Sequence, residues 1–213
     1  MRYAMSRRRR NFLAGLCAMA AIVTIVLDYS CVNRQPVRPA QSVESQKATD
    51  IQKYDGRQFT VVKVIDGDTL DIDIPDANYN HTRVRLWGVD TPETKNPRTG
   101  PMFFGKEAAE FSTTKALNKK VVVYLEKDGN TRDKYNRLLA YVQLPDGTYL
   151  NERLLTEGCA YADVRFKHSF YNKYRQLETL ARSQKKGLWR NITEDQMPRW
   201  RQKREGLAAE VNN

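Results

Sequence analysis

Residues 62–75, VKVIDGDTLDIDIP, alternate apolar and polar side chains, break at Asp66-Gly67-Asp68, and alternate again. Period two marks a strand with one buried face, and an Asp-Gly step at its centre is hairpin chemistry, because Gly takes the backbone conformations a tight turn demands. A chain whose regular structure includes this pattern is committed to an antiparallel sheet. The stretch also carries more charge than a hairpin needs. Asp66, Asp68, Asp71 and Asp73 crowd together in a chain whose formal charge is +11. Asp71 and Asp73 alternate along a strand and read as a solvated outer face. For Asp66 and Asp68 two readings stand: turn residues, for which one Asp beside Gly67 is enough, or carboxylates that hold a cation.

The rest of the chain extends the sheet. FTVVKVI and TLDIDI bracket the turn, TRVRLWGV supplies a third strand, and KVVVYLE and RLLAYVQL supply a fourth and fifth. DTPETKNPRTGP, rich in Pro and Thr, is a long loop, followed by a helix over about 103–117 with Phe104, Ala108 and Phe111 on one face. YLNERLLTEG reads as a short helix closed by Gly158. Phe170, Tyr174, Leu177 and Ala181, spaced four, three and four, mark a last helix that stops before Gly187. Five strands with a helix between the third and fourth, then helices at the end, predict an α+β domain over 59–189. Its architecture is a five-stranded OB-fold barrel with about three helices. That fold often binds oligonucleotides, but a fold alone does not assign a function.

The two ends differ from this domain. RRRRNFLAGLCAMAAIVTIVL joins Arg7–Arg10 to an apolar run from Phe12 to Leu27, the charged and hydrophobic parts of an export signal or anchor over residues 1–32. No small-x-small cleavage site follows, so the segment reads as an uncleaved membrane anchor with its Arg end in the cytoplasm and the domain outside. Cleavage would make the protein secreted. Residues 33–58, with Pro36, Pro39 and few large apolar side chains, read as a polar tether, and 190–213 as a polar basic tail that is either a short helix or loose. Residues 58–189 hold 21 Lys/Arg against 17 Asp/Glu, so most of the excess positive charge lies in the ends and says little about the domain. Cys17, Cys31 and Cys159 provide no disulfide framework, and two histidines without a CxxC pair argue against zinc. His81 and His168 read as exposed loop residues, Cys159 as a small buried side chain, and Trp87 and Trp189 as core aromatics.

Four groups carry the chemistry: Asp68 in the turn, Arg85 on the third strand, Asp90-Thr91-Pro92-Glu93 in the long loop, and Arg137 before the fifth strand. Hydrolysis of a phosphodiester needs cationic groups on the phosphate, a base to orient water, and neutralisation of the charge that develops as the P–O bond breaks. A hard cation such as Ca²⁺ takes oxygen ligands, which Asp68, Asp90 and the Thr91 carbonyl can supply, and guanidinium forks match phosphate oxygens. Arg83 and Arg85 share one face of their strand, and Arg83 reads as structural.

IDGDT, RLWGVDTPET and DKYNRLLAY resemble the three signature blocks of the thermonuclease family, in the family's order, within residues 59–189. The resemblance implies a calcium ion held by Asp68, Asp90 and the Thr91 carbonyl, Glu93 at the general-base position, and Arg85 and Arg137 on the phosphate. Asp66 matches an acidic residue that tunes the metal, and Lys134 and Tyr135 match positions that contact a terminal phosphate. The implied reaction cleaves DNA and RNA with the 5′-oxygen leaving, giving 3′-phosphate ends. Where the family's model enzyme lines its nucleotide pocket with two tyrosines, this sequence has Val164 and Phe166, and only Phe166 can stack on a base. The alternative is a non-catalytic module of the same fold that binds nucleic acid or protein. Such a module has no need for Asp68, Arg85, Asp90, Glu93 and Arg137 together. No protein partner is implied, and a monomer is expected.

Overall fold

The computed structural model describes residues 43–95 and 100–211. The export or anchor reading of 1–32 and the first part of the expected tether lie outside those residues. Among the described residues no helix is long and apolar enough to cross a membrane.

The predicted hairpin is present as β1 (Arg57–Asp66) and β2 (Thr69–Ile72), antiparallel from Val61↔Ile72 to Asp66↔Thr69. Two register irregularities bend β1, the usual way a long strand turns a barrel corner. Its first half can therefore pair with β5 (Lys120–Leu125) while its second half pairs with β2. β3 (Thr82–Leu86) follows beside β2, and β6 (Leu138–Gln143) lies between β3 and β5. The order β1-β2-β3-β6-β5 closes on itself, antiparallel everywhere except β3–β6. A separate two-stranded pair joins β4 (Val89–Asp90) to β7 (Tyr161–Ala162). Closure leaves no free edge in the main sheet, and Val61, Leu70, Ile72, Val84, Leu138 and Val142 fill its interior. The five-stranded barrel of the OB type is therefore as predicted.

Within residues 59–189 three α-helices accompany it, as predicted, and among the described residues two more lie outside that range. α2 (Gly105–Ala116) buries the small residues Ala108, Ser112 and Ala116, which let it lie close against the sheet, while Phe104 and Phe111 pack at the margin of the core. α3 (Leu150–Thr156) and α4 (Tyr171–Ser183) match the two later expectations. Gly158 closes α3 at φ +68, where a side chain would meet the Lys186 carbonyl at 2.3 Å.

One helix was not expected, and another is the helical one of the two alternatives left open for the tail. α1 (Val43–Tyr54) occupies much of the expected tether, and its Asp50 and Tyr54 are fully buried. The tether reading fails because this helix is held by ionic contacts, which composition does not reveal: Arg132 bonds both oxygens of Asp50 at 2.7 and 2.9 Å. α5 (Arg199–Val211) turns the expected tail into a helix, and Arg201 reaches Glu178 of α4 at 3.1 Å.

Three smaller corrections concern exposure. Asp71 is buried rather than solvated, because Arg83, its register partner on β3, covers it with two bonds of 2.8 and 3.1 Å. His168 is half-buried, 3.2 Å from the Tyr141 hydroxyl, and burial lowers its pKa. Trp87 is half-buried and stacks on Phe166, with ring centroids 6.0 Å apart. Trp189 and Cys159 are core residues as expected, and burial pushes the Cys159 thiol up to about 12, which leaves it unreactive.

Candidate active site

The site begins at the turn that opened the sequence. Asp66 accepts its own turn's Gly67 N–H at 2.9 Å, and its second oxygen takes the Thr94 N–H at 3.4 Å. Gly67 is required by proximity: a Cβ there would meet the Thr91 side chain at 2.8 Å. The Gly67 carbonyl accepts the buried Ser112 hydroxyl of α2, which docks the turn onto the helix.

That close approach brings Asp68 against the loop that follows β4. Asp68 is 2% exposed, and its carboxylate accepts the Thr91 N–H at 2.7 Å and the Thr69 hydroxyl at 3.0 Å. Pairing of β2 with β3 sets Arg85 opposite Thr69. From there the Arg85 guanidinium lies between two acids, Nη1 on Asp68 and Nη2 on Asp90 at 2.5 Å, with Nη2 also donating to the Val89 carbonyl at 3.2 Å. Two carboxylates 22 positions apart in the chain thus face each other across a single cationic group.

Glu93 follows three residues after Asp90. Its carbonyl accepts the Met102 N–H, and Gly105 packs so closely that a Cβ would stand 2.7 Å from that carbonyl. By surface area Glu93 is exposed. Atoms crowding its carboxyl nonetheless raise its pKa, as do a hydrogen bond to Asp66 and the charge of that neighbour, so that it is pushed up to about 7. Arg85 opposes the shift without cancelling it.

Arg137 belongs to a second group. Asp133 accepts the Arg137 backbone N–H at 3.0 Å and its Nε–H at 2.7 Å, and the guanidinium lies 5.4 Å from the centre of the Tyr135 ring. Lys134 approaches the same exposed ring at 4.9 Å. None of these three touches the Asp68–Asp90 cluster among the described residues. Parallel pairing of β3 with β6 sets Leu139 beside Arg85, so Arg137 falls about two residue rises upstream along the same side, roughly 7 Å.

A third group borders Asp90. Trp200 of α5 donates its indole N–H to Asp90 Oδ2 at 2.8 Å. Arg165 lies 3.4 Å from Asp90 Oδ1 and is held by Asp163. Its guanidinium sits 4.6 Å over the Trp200 ring and 5.9 Å over that of Phe166. The structure thus joins Asp68, Arg85, Asp90 and Thr91 directly, links Asp66 to Glu93, and brings Phe166 near through Arg165. Trp200 and Arg165 were not singled out in the sequence. A tryptophan two residues after Pro198, in an otherwise polar tail, was the available signal.

The oxygen-rich donor set fits a hard cation. Asp68 and Asp90 converge on one positive charge, and Thr91, 4% exposed, carries a buried hydroxyl with no hydrogen-bond partner. No group of three or more His, Cys, Asp or Glu side chains gathers as a metal cluster among the described residues. Carboxylate, carbonyl and hydroxyl oxygens are ligand types that suit hard cations better than soft transition metals.

A closed OB-type barrel with acids and guanidinium groups along one rim defines a class of oligonucleotide-handling domain. The family model described as "Staphylococcal nuclease homologue" matches residues 83–191. The chain is 37% identical over 177 residues to a thermonuclease of Staphylococcus intermedius, covering 82% of this chain and 93% of that one. It is 36% identical over 146 residues to the thermonuclease of Staphylococcus hyicus, covering 68% and 83% respectively. Endonuclease YncB of Bacillus subtilis (strain 168) matches at 35% over 132 residues, 61% of this chain and 60% of that one. The chain belongs to the staphylococcal nuclease family.

Proposed function

We propose that this chain is a calcium-dependent nuclease that hydrolyses phosphodiester bonds of DNA and RNA and leaves 3′-phosphate ends. Nuclease activity follows from membership of the family. The finer reading is carried by one observation: Asp68 and Asp90 are held on opposite sides of the Arg85 guanidinium, beside a Glu93 whose pKa is pushed up to about 7.

Asp68, Asp90 and Thr91 would hold the calcium ion. When bound, the ion supplies positive charge for the anionic phosphate and the transition state. Arg85 then has a different task. Its two acidic partners are also held by donors that do not depend on it, namely the Thr91 N–H, the Thr69 hydroxyl and the Trp200 indole. The guanidinium is therefore free to turn towards a phosphate oxygen, which its planar fork matches. Arg137 presents a second fork, pre-oriented by Asp133. A pKa near 7 suits Glu93 to take a proton from water at neutral pH, because a base works best when its pKa lies close to the operating pH. Lys134 and Tyr135 offer a cation and an exposed ring to the phosphate at a strand end, and Phe166, 54% exposed, offers a face for a base. The membrane-anchored or secreted placement outside the cytoplasm completes the reading, since calcium is plentiful there and the genome is not.

The test is degradation of single-stranded DNA and of RNA by the full-length chain with calcium chloride, with and without chelator. Cleavage that stops with chelator, and products labelled only after phosphatase removes a 3′-phosphate, are the expected results. Full activity in excess chelator would remove calcium from the reaction, and 3′-hydroxyl ends would reverse the proposed direction of cleavage.

A further inference from the structure

The segment of this chain that matches the family model ends at residue 191, yet a residue beyond it contacts the candidate metal site. We infer that Trp200 is a positioning residue for Asp90: its indole N–H occupies Oδ2 and thereby fixes Oδ1 as the oxygen offered to the cation. This rests on the reading of Asp90 as a calcium ligand.

The division of labour between the two oxygens is explicit. Oδ1 faces Arg85 at 2.5 Å and Arg165 at 3.4 Å, while Oδ2 is taken by the Trp200 indole at 2.8 Å. An unrestrained carboxylate can rotate, or bind an ion through both oxygens. A hydrogen bond to one oxygen removes that freedom and sets the plane of the group. Trp suits the position because its indole only donates and carries no charge. It can therefore orient Asp90 without repelling a cation, as a lysine there would.

Trp200 is itself held firmly enough to do this. Arg165 covers one face of the ring at 4.6 Å, and Tyr161 meets it edge-on at 6.4 Å. The next residue, Arg201, is buried and bonds Glu178 of α4 at 3.1 Å and Glu205 at 3.0 Å. Gln202 donates to the carbonyls of Asp195 and Met197, which fastens the start of α5 to the preceding turn. Orienting groups behind a metal ligand typically contribute 10–100-fold in metal affinity.

The chain has three tryptophans, so protein labelled with ¹⁵N at the indole gives three side-chain signals, with Trp200 assigned by sequential NMR. The full-length chain is titrated with calcium chloride, and the indole signals and the calcium-induced rise in melting temperature are followed. The Trp200 signal is expected to move with the same midpoint as the thermal shift. Trp200→Phe keeps a ring for Arg165 and Tyr161 but loses the N–H. It should raise the calcium midpoint about 10-fold or more, with turnover recovering at high calcium. An unchanged midpoint in Trp200→Phe overturns the inference and leaves the calcium site standing. A wild-type chain with no calcium response overturns both. Should the variant fail to fold, the wild-type signal still decides, because a Trp200 indole that stays in place through calcium saturation also overturns the inference.

Discussion

Arg132 and Arg85 each sit between two aspartates, and they serve opposite ends. Arg132 bonds Asp50 through Nε and Nη2, and Asp76 through Nη1 and Nη2. Its fifth N–H goes to the Asn136 carbonyl at 3.1 Å, which uses every donor the group has. Burial opposes the charge on Arg132, but the bonds to Asp50 and Asp76 outweigh it and raise its pKa. Arg85 meets Asp68 and Asp90 with the same chemistry, but among the described residues only its two Nη nitrogens are engaged, and the exposed Glu93 lies beside it. A completed shell makes Arg132 a clamp that ties α1 to the barrel. A shell with a donor to spare makes Arg85 exchangeable. The donors each arginine has left, rather than the ion pair itself, separate structure from chemistry.

The comparison breaks if the two arginine sites respond alike. Arg132→Ala leaves the buried Asp50 charge without a cation, held only by the neutral Thr131 hydroxyl and Gln46 amide, so unfolding in urea should show a loss of about 3–5 kcal/mol. The folded fraction should cleave DNA at nearly the wild-type rate. Glu93→Gln should do the reverse, lowering turnover by about 10²-fold or more while the urea midpoint stays close to wild type. Arg137→Ala should fall by a similar factor, as a lost charge-stabilising group. Activity within tenfold of wild type in either variant would take that residue out of the mechanism.

The smallest effect concerns acid. Burial lowers the folded-state pKa of His168, so its contribution is complete above the unfolded value of about 6.5 and declines as pH falls through it. For Glu126, burial alone would raise the pKa, but hydrogen bonds from Ser169 and Tyr141 outweigh it and lower it. That contribution is lost only below the unfolded carboxylate value of about 4.3. Glu93 and Glu178, whose folded-state pKa values are raised, gain stability as pH falls, so His168 is read by difference. In urea unfolding from pH 7 to 4 the wild type should lose stability relative to His168→Gln as pH falls through about 6.5. A difference between the two proteins that stays constant over that range would remove His168 from the account.

The barrel was legible in the sequence because its signals are local. Alternation and the Asp-Gly turn specify a hairpin within a few residues, and IDGDT, RLWGVDTPET and DKYNRLLAY each hold their candidate site residues within ten or fewer consecutive positions. What escaped notice depends on contacts between distant segments. α1 buries a carboxylate, Asp50, where periodicity looks for apolar side chains, and its partner Arg132 is 82 residues away. Asp71 looked solvated because alternation cannot show that Arg83 covers it. The Trp200–Asp90 contact spans 110 residues, and nothing in the local pattern of a polar tail announces it.

The parallel pairing of β3 with β6 has a consequence for how the molecule comes into being. During synthesis the ladder beside Arg85 cannot close until residues 138–143 have left the ribosome, and Asp90 gains its last partner only when residue 200 emerges. A chain made only as far as residue 137 therefore carries the acids without their final arrangement, which is reached only after residue 200 has emerged.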